Sequence, residues 1–319
     1  MAGGVDLFAR QTLASSYVSY DTKTYGTNLR LGFALTEEIA LQPRYSIYRQ
    51  EITLPDAYNN CKDSAAAAAF RAGTGPGVTP SDGCFSDGEA SLSVRRELAA
   101  GPVTVSLVGY SLAYNTLDSN KSPTSGLYAE LKQDFAGVGG DVNFVRSTAE
   151  ARNYYEVFPD VIGVFKLQGG HIAGWGSKDL RMLDHFQMGP NLVRGFAPAG
   201  IGPRDITSGT TNDALGGSMF WGASFEAQTP LYFLPKEIGI KLAAFADAGS
   251  LWSYKGPTTW DVTGETLQVA DSNAVRSSVG MGLIWDSPLG PLRFDLAYPV
   301  TKQSYDRTQI FRFSGGARF

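Results

Sequence analysis

Three groups of residues in this sequence have the chemistry to form a site, and they lie far apart in the chain. The first is Arg194, which follows two apolar residues in Leu192-Val193-Arg194-Gly195-Phe196. An arginine in apolar surroundings wants a carboxylate, because an unpaired buried charge is very costly. Glu226 and Asp247 are the candidate partners, and a guanidinium can meet a carboxylate through two parallel hydrogen bonds. The second group is Cys61 and Cys84, which share one loop over residues 59–90. On an exported face such a pair most simply forms a disulfide. Closing a loop of about twenty residues is worth roughly 3 kcal/mol in the chain-entropy model. Two free thiols or a metal site are the rival readings, but neither histidine is near in sequence and two thiols alone hold a metal poorly. The third group is His171, near a strand end, and His185 beside Asp184. Adjacent Asp and His are weak support for catalysis. The chain has no Gly-x-Ser-x-Gly elbow, no His-Glu-x-x-His and no phosphate loop. The expectation is a protein without enzymatic chemistry, cofactor or metal.

Arg194 lies in an irregular stretch, residues 176–217, punctuated by Gly and Pro and carrying Arg181, Asp184, Arg204 and Asp205 as well. Structureless stretches of that length are uncommon in a compact fold and are usually functional or disordered; the plain alternative is a mobile surface loop. On both sides of it the sequence reads as strands. The 319 residues include 37 Gly, 15 Tyr and 18 Phe but only 2 His, with a net charge of −4 and a mean hydropathy of −0.13. That charge does not point to nucleic acid. No run reaches the roughly 18 apolar residues of a membrane helix. Alternation of apolar and polar residues marks segments 4–12, 27–33, 39–52, 102–117, 125–135, 141–155, 161–173, 218–230, 238–252, 274–288, 291–300 and 309–319. These make about twelve strands of roughly 10 residues, the length of a tilted membrane strand.

A soluble β-sandwich also shows one apolar and one polar face. Three features favour an antiparallel transmembrane β-barrel instead: long strands, aromatic residues at strand ends (Tyr25, Trp175, Tyr232, Trp252, Tyr254, Trp285, Tyr298), and connections that alternate short and long. The turns at residues 137–140 and 287–291 are short; the stretches 59–90, 176–217 and 253–273 are long. Side chains alternate across a strand. If Leu242 faces lipid, Asp247 faces the lumen, and if Phe225 faces lipid, Glu226 faces the lumen. Two inward carboxylates on adjacent strands make a receptor for one arginine, or they merely hydrate the lumen as polar residues there commonly do.

The motif Val193-Arg194-Gly195-Phe196 resembles the loop motif of the BamA family of outer-membrane β-barrel assembly factors, within the POTRA/β-barrel insertase-translocase superfamily. Phe245-Ala246-Asp247-Ala248-Gly249 resembles that family's Phe-x-Asp-x-Gly strand motif. The last strand, with Phe311, Phe313, Gly315, Ala317 and the terminal Phe319, resembles its C-terminal insertion signal. The resemblance covers the whole chain. It implies a single, partial outer-membrane barrel domain over residues 1–319, matching the last twelve of sixteen strands. The POTRA domains and the first strands are then expected to be absent, and the start, Met1-Ala2-Gly3-Gly4, which lacks a signal peptide, to lie inside a longer gene product. The resemblance further implies that residues 176–217 turn into the lumen and that Arg194 pairs with Asp247 and Glu226. The implied function is assembly and insertion of β-barrel proteins into the outer membrane of a Gram-negative cell, by lateral strand pairing at the barrel seam. The implied partners are unfolded outer-membrane barrel clients, outer-membrane lipid and accessory lipoproteins, the last mostly through the POTRA region. A two-partner-secretion translocase and a passive diffusion porin are the alternatives.

Overall fold

A computed structural model describes residues 2–315, apart from 16, 56, 57, 59–89, 121, 177, 209, 233, 234, 236, 237, 261–264, 288 and 289. Cys61, Cys84, Ala317 and Phe319 therefore lie outside the described residues. In chain order the strands are β1 (Ala2–Thr12), β2 (Asp21–Ala34), β3 (Ile39–Thr53), β4 (Val103–Asn115), β5 (Gly126–Phe158) and β6 (Val161–Gly174). Next come β7 (Gly195–Phe196), β8 (Arg204–Asp205), β9 (Met219–Pro230), β10 (Ile240–Trp252), β11 (Thr259–Trp260), β12 (Glu265–Thr266) and β13 (Val269–Ala270). The chain ends with β14 (Arg276–Ser287), β15 (Gly290–Thr301), β16 (Thr308–Gln309) and β17 (Phe311–Gly315). Among the described residues one α-helix, α1 (Leu92–Ala100), precedes β4.

The long strands form one antiparallel sheet in the order β1-β2-β3-β4-β5-β6-β9-β10-β14-β15-β17. Neighbours in sequence are neighbours in space throughout, which is the up-and-down arrangement of a membrane barrel. β5 is two limbs of a hairpin. Its first limb pairs with β4 and its second with β6, and Gln133 of one limb hydrogen-bonds Ser147 of the other at 3.1 Å. Gly137, Gly139 and Gly140, all at positive φ, make the turn between them. With that hairpin counted as two, the sheet has the twelve strands read from the alternation. Among the described residues no ladder joins β1 to β17.

Alternation sets the two faces. In β10, Leu242, Ala244 and Ala246 point outward while Ala243, Phe245 and Asp247 are buried inside. The outer face carries Leu131, Phe165, Phe225, Met281 and Phe311, which are exposed as a lipid-facing band requires. Connections on one side are short: β2 to β3, β5 to β6 and β14 to β15 are joined by a few residues each. The other side carries the long loops. The glycine turn at 137–140 opens on that long-loop side, where Trp175 Nε1 donates to the Ala136 carbonyl at 3.0 Å and Lys178 Nζ to that of Asp141 at 2.9 Å. Length alone therefore does not tell the two ends of this barrel apart.

The apolar cores sit inside and at the long-loop end. Val105, Leu107, Phe144 and Ile172 pack beneath Leu180; Tyr20, Ile52 and Met182 pack with Val94 of α1. Helix α1 was not visible in the alternation pattern. It is held by Arg181, which donates Nε to Glu97 at 2.9 Å, so the loop at 176–217 and α1 brace each other.

Candidate functional site

The loop between β6 and β9 turns back into the barrel. Backbone bonds from the amides of Leu192 and Val193 to the Gly189 carbonyl, both 3.1 Å, tighten its tip. Met188, Val193, Phe196 and Ile201 then pack on Leu251 as a small buried core. Gly249 makes this seat possible. A Cβ there would press on Met188 and come within 2.7 Å of the Trp221 carbonyl and 3.1 Å of Val193. At Gly195 the backbone takes φ +87, a conformation that favours glycine, so the chain can reverse beside Arg194. Beyond the tip, β7 pairs with β16: Phe196 faces Thr308 and Gly195 faces Gln309.

This fold-back delivers Arg194 to the inner wall. Its Nε donates to Asp247 Oδ2 and its Nη2 to Oδ1, both at 2.7 Å, and its own amide donates to Oδ2 at 3.0 Å. Nη2 also reaches Ser224 Oγ at 3.0 Å, and Nη1 donates to Glu226 Oε2. The guanidinium carbon lies 3.4 Å from the Phe245 ring centroid, a stacked cation–π contact. The Asp247 side chain is 1% exposed and that of Arg194 12%. Burial works against the Arg194 charge, but the hydrogen bonds and charges of Asp247 and Glu226 outweigh it and hold its pKa above the ordinary arginine value.

Glu226 does not serve Arg194 alone. Arg293 of β15 donates Nη1 to Oε1 at 3.0 Å and Nη2 to Oε2 at 2.7 Å, and Gln228 Nε2 donates to Oε1 at 2.8 Å. Arg293 Nε in turn bonds both oxygens of Asp295 at 2.9 Å. Sequence reasoning missed Arg293 and Asp295. Their signal was present: two opposite charges two residues apart share one face of a strand, and Phe294 between them is outward. Phe311 and Phe313 face lipid with Gly315, while Arg312 turns inward, where its Nη2 donates to Asn191 Oδ1 on the loop tip at 2.7 Å.

The two histidines have separate fates. His185 is buried; its Nε2 accepts the Lys255 amide at 3.1 Å, so Nδ1 carries the proton and donates to the Arg181 carbonyl at 2.8 Å. Burial lowers its pKa to about 4, and burial raises that of the neighbouring Asp184 to about 6. His185 is thus a structural pin between two loops. His171 lies on the outer face. Among the described residues no cluster could hold a metal ion.

A strand barrel with an arginine-bearing loop seated on an inward Phe-x-Asp-x-Gly strand is a specific combination, and comparison with known proteins identifies it. The Omp85 superfamily domain matches residues 2–319. The chain belongs to the Omp85 superfamily. It is 39% identical over 229 residues to the outer membrane protein assembly factor BamA of Neorickettsia risticii, covering 71% of this chain and 29% of that protein. The BamA of Neisseria meningitidis serogroup B is 24% identical over 334 residues, covering 99% of this chain and 39% of that protein. The chain thus spans well under half the length of these curated relatives. Its fold matches the crystal structure of Haemophilus ducreyi BamA lacking POTRA domains 1-3, with a TM-score of 0.71 at 20% identity, over 98% of this chain and 57% of that one. Family and fold make this Omp85 chain an outer-membrane β-barrel.

Proposed function

We propose that this Omp85 barrel takes part in the assembly and insertion of β-barrel proteins into the outer membrane, by lateral strand pairing at the barrel seam and without a catalytic centre. The observation that carries the reading is its likeness to two bacterial proteins named as outer membrane protein assembly factors, one of them aligned over 99% of this chain. The clients are unfolded outer-membrane barrels. Accessory lipoproteins are further partners, reached through POTRA domains ahead of the barrel in the whole protein. The physical logic is that lipid cannot satisfy backbone N–H and C=O groups, whereas an accessible strand edge can. An incoming strand pairs there as in β-augmentation. No energy source is needed beyond the hydrogen bonds and burial the client gains.

The loop carrying Arg194 occupies the lumen beside Asp247, Glu226 and Arg293, which disfavours a wide diffusion channel. The test is reconstitution of the intact protein in lipid vesicles with an unfolded barrel client, read by the heat-modifiable mobility of the folded client. Faster client folding than in protein-free vesicles supports the assignment. Steady ion conductance with no effect on client folding turns it into a porin. Transport of a dedicated soluble partner with no effect on client folding turns it into a translocase.

A further inference from the structure

The outer face of the sheet carries a feature that a uniform lipid-facing band does not need. A groove of about 630 Å³ crosses β4, β5, β6 and β9, walled by Leu112, Leu131, Leu167 and Trp221 and floored by Ala149 and Gly169. All but Leu167 form a lateral row: Leu112 pairs with Leu131, Ala149 with Gly169, and Gly169 with Trp221, while Leu167 pairs with Ala151 in the next row. The volume is that of a small-molecule site, which typically spans about 300–1,000 Å³. The adjacent lateral row, two residues nearer the long loops, is polar. Tyr110 donates to Gln133 Oε1 at 2.6 Å, Gln133 Nε2 donates to Ser147 Oγ at 3.1 Å, and Ser147 pairs in register with His171. All four residues share the outward parity of Leu112, Leu131, Ala149 and Gly169.

Polar groups facing hydrocarbon are costly unless something satisfies them. In this row the second amide proton of Gln133, the hydroxyl proton of Ser147 and the ring N–H of His171 have no acceptor among the described residues. Three donors on three adjacent strands, about 4.8 Å apart, suit an acceptor-rich group. The apolar groove beside them continues the lipid-facing surface and suits a hydrocarbon chain. We propose that groove and ledge together bind one membrane phospholipid, with an acyl chain between Leu112, Leu131, Leu167 and Trp221 and its phosphate on Gln133, Ser147 and His171.

The site is independent of client assembly and is tested without a client. The intact protein is reconstituted in bilayers containing a small fraction of phospholipid brominated on its acyl chains. The difference in fluorescence between the protein and its Trp221→Phe variant isolates Trp221. Trp221 is expected to be half-quenched at a brominated fraction about tenfold below that for random lipid contact, the advantage of one hydrogen bond to a charged group. A diacylglycerol with the same brominated chains, lacking the phosphate, is expected to lose that advantage. His171→Leu is expected to make the two lipids equal, and Ala151→Phe, at a small residue that also lines the groove, to fill it and return both to random contact. Gly169→Leu is a second filling variant, since a Cβ there meets only the Phe220 carbonyl at 3.5 Å. Quenching in simple proportion to the brominated fraction, equal quenching by the two lipids in the parent protein, or indifference to both filling variants overturns the proposal.

Discussion

Arg194 is held by two carboxylates that stand very differently with respect to it, and that difference sets the energies of a mutant cycle. Asp247 is 1% exposed and receives three bonds, all from Arg194. Glu226 receives one bond from Arg194, two from Arg293 and one from Gln228. Arg194→Ala therefore strands Asp247 as an uncompensated buried charge, at a cost of roughly 3–5 kcal/mol, while Glu226 keeps Arg293. Asp247→Asn keeps an acceptor oxygen, and Arg194 keeps Glu226, Ser224 and the Phe245 ring, so roughly 2–3 kcal/mol is lost. The double variant has no stranded charge and should fall short of the sum by about 1–3 kcal/mol. Glu226→Gln leaves Arg194 on Asp247 and Arg293 on Asp295, and should cost the least, about 1–2 kcal/mol. Hydrogen exchange of the amides over residues 189–200 in the reconstituted protein reads the local opening free energy directly. Additive losses in the Arg194/Asp247 cycle, or a Glu226→Gln effect as large as that of Asp247→Asn, would refute the reasoning.

Three further outcomes are expected. Gly249→Ala pushes a methyl against Met188, Val193 and the Trp221 carbonyl and should unseat the loop by roughly 1–3 kcal/mol; unchanged loop exchange would contradict this. Asn191→Ala removes the bond from Arg312 and should speed exchange in Phe311–Gly315 about tenfold, with Asn191→Asp restoring it as an ion pair; equal exchange in all three proteins would count against the contact. His185 and Asp184 should titrate with opposite signs. His185 drops from 6.5 to about 4, so as pH falls through that window the unfolded chain takes the proton first and stability is lost. Asp184 rises from 3.8 to about 6, so the folded chain takes the proton first and stability is gained as pH falls. Each contribution is about 3 kcal/mol and the two offset. Relative to the parent, the melting temperature of His185→Gln should rise on acidification from pH 7 to 4.5 and that of Asp184→Asn should fall; parallel curves would refute both assignments.

Strand count and facing were legible because a period of two leaves a plain trace over ten or so residues, as in Leu127 to Leu131 or Ile240 to Ala246. The same parity put Asp247 and Glu226 on the inner face before any distance was known. What the alternation could not supply was the environment around them. Parity alone places Arg293 and Asp295 on a lumen face without naming a partner, and only the closeness of β15 to β9 across the barrel makes Glu226 a shared acceptor. Helix α1 was hidden because its burial comes from tertiary packing against the loop and β3, and its residues Leu92, Val94 and Leu98 are too few to mark a period. The side of the turn at 137–140 was lost for a similar reason: glycine at positive φ permits a tight reversal at either end of a barrel, and the contact that places this one is from Trp175, distant in sequence.

The shared use of Glu226 has a mechanical consequence. The loop is tied to β10 through Asp247, to β9 through Ser224 and Glu226, and by way of Glu226 and Arg293 to β15, the neighbour of the last strand. It is tied to the last strand itself by Asn191 on Arg312 and, just ahead of that strand, by the pairing of β7 with β16. Behind that pairing, Arg276 and Asp306 form an ion pair at 3.0 Å with neither side chain exposed, so the lead-in to β17 has a fixed position. Among the described residues β17 pairs with β15 from Leu296 to Leu292. These contacts hold the described part of β17 to the loop as well as to β15. If assembly proceeds at this edge, a displaced loop changes the edge at once, because Asn191, Arg194 and Gly195 lie within five residues of one another and move together.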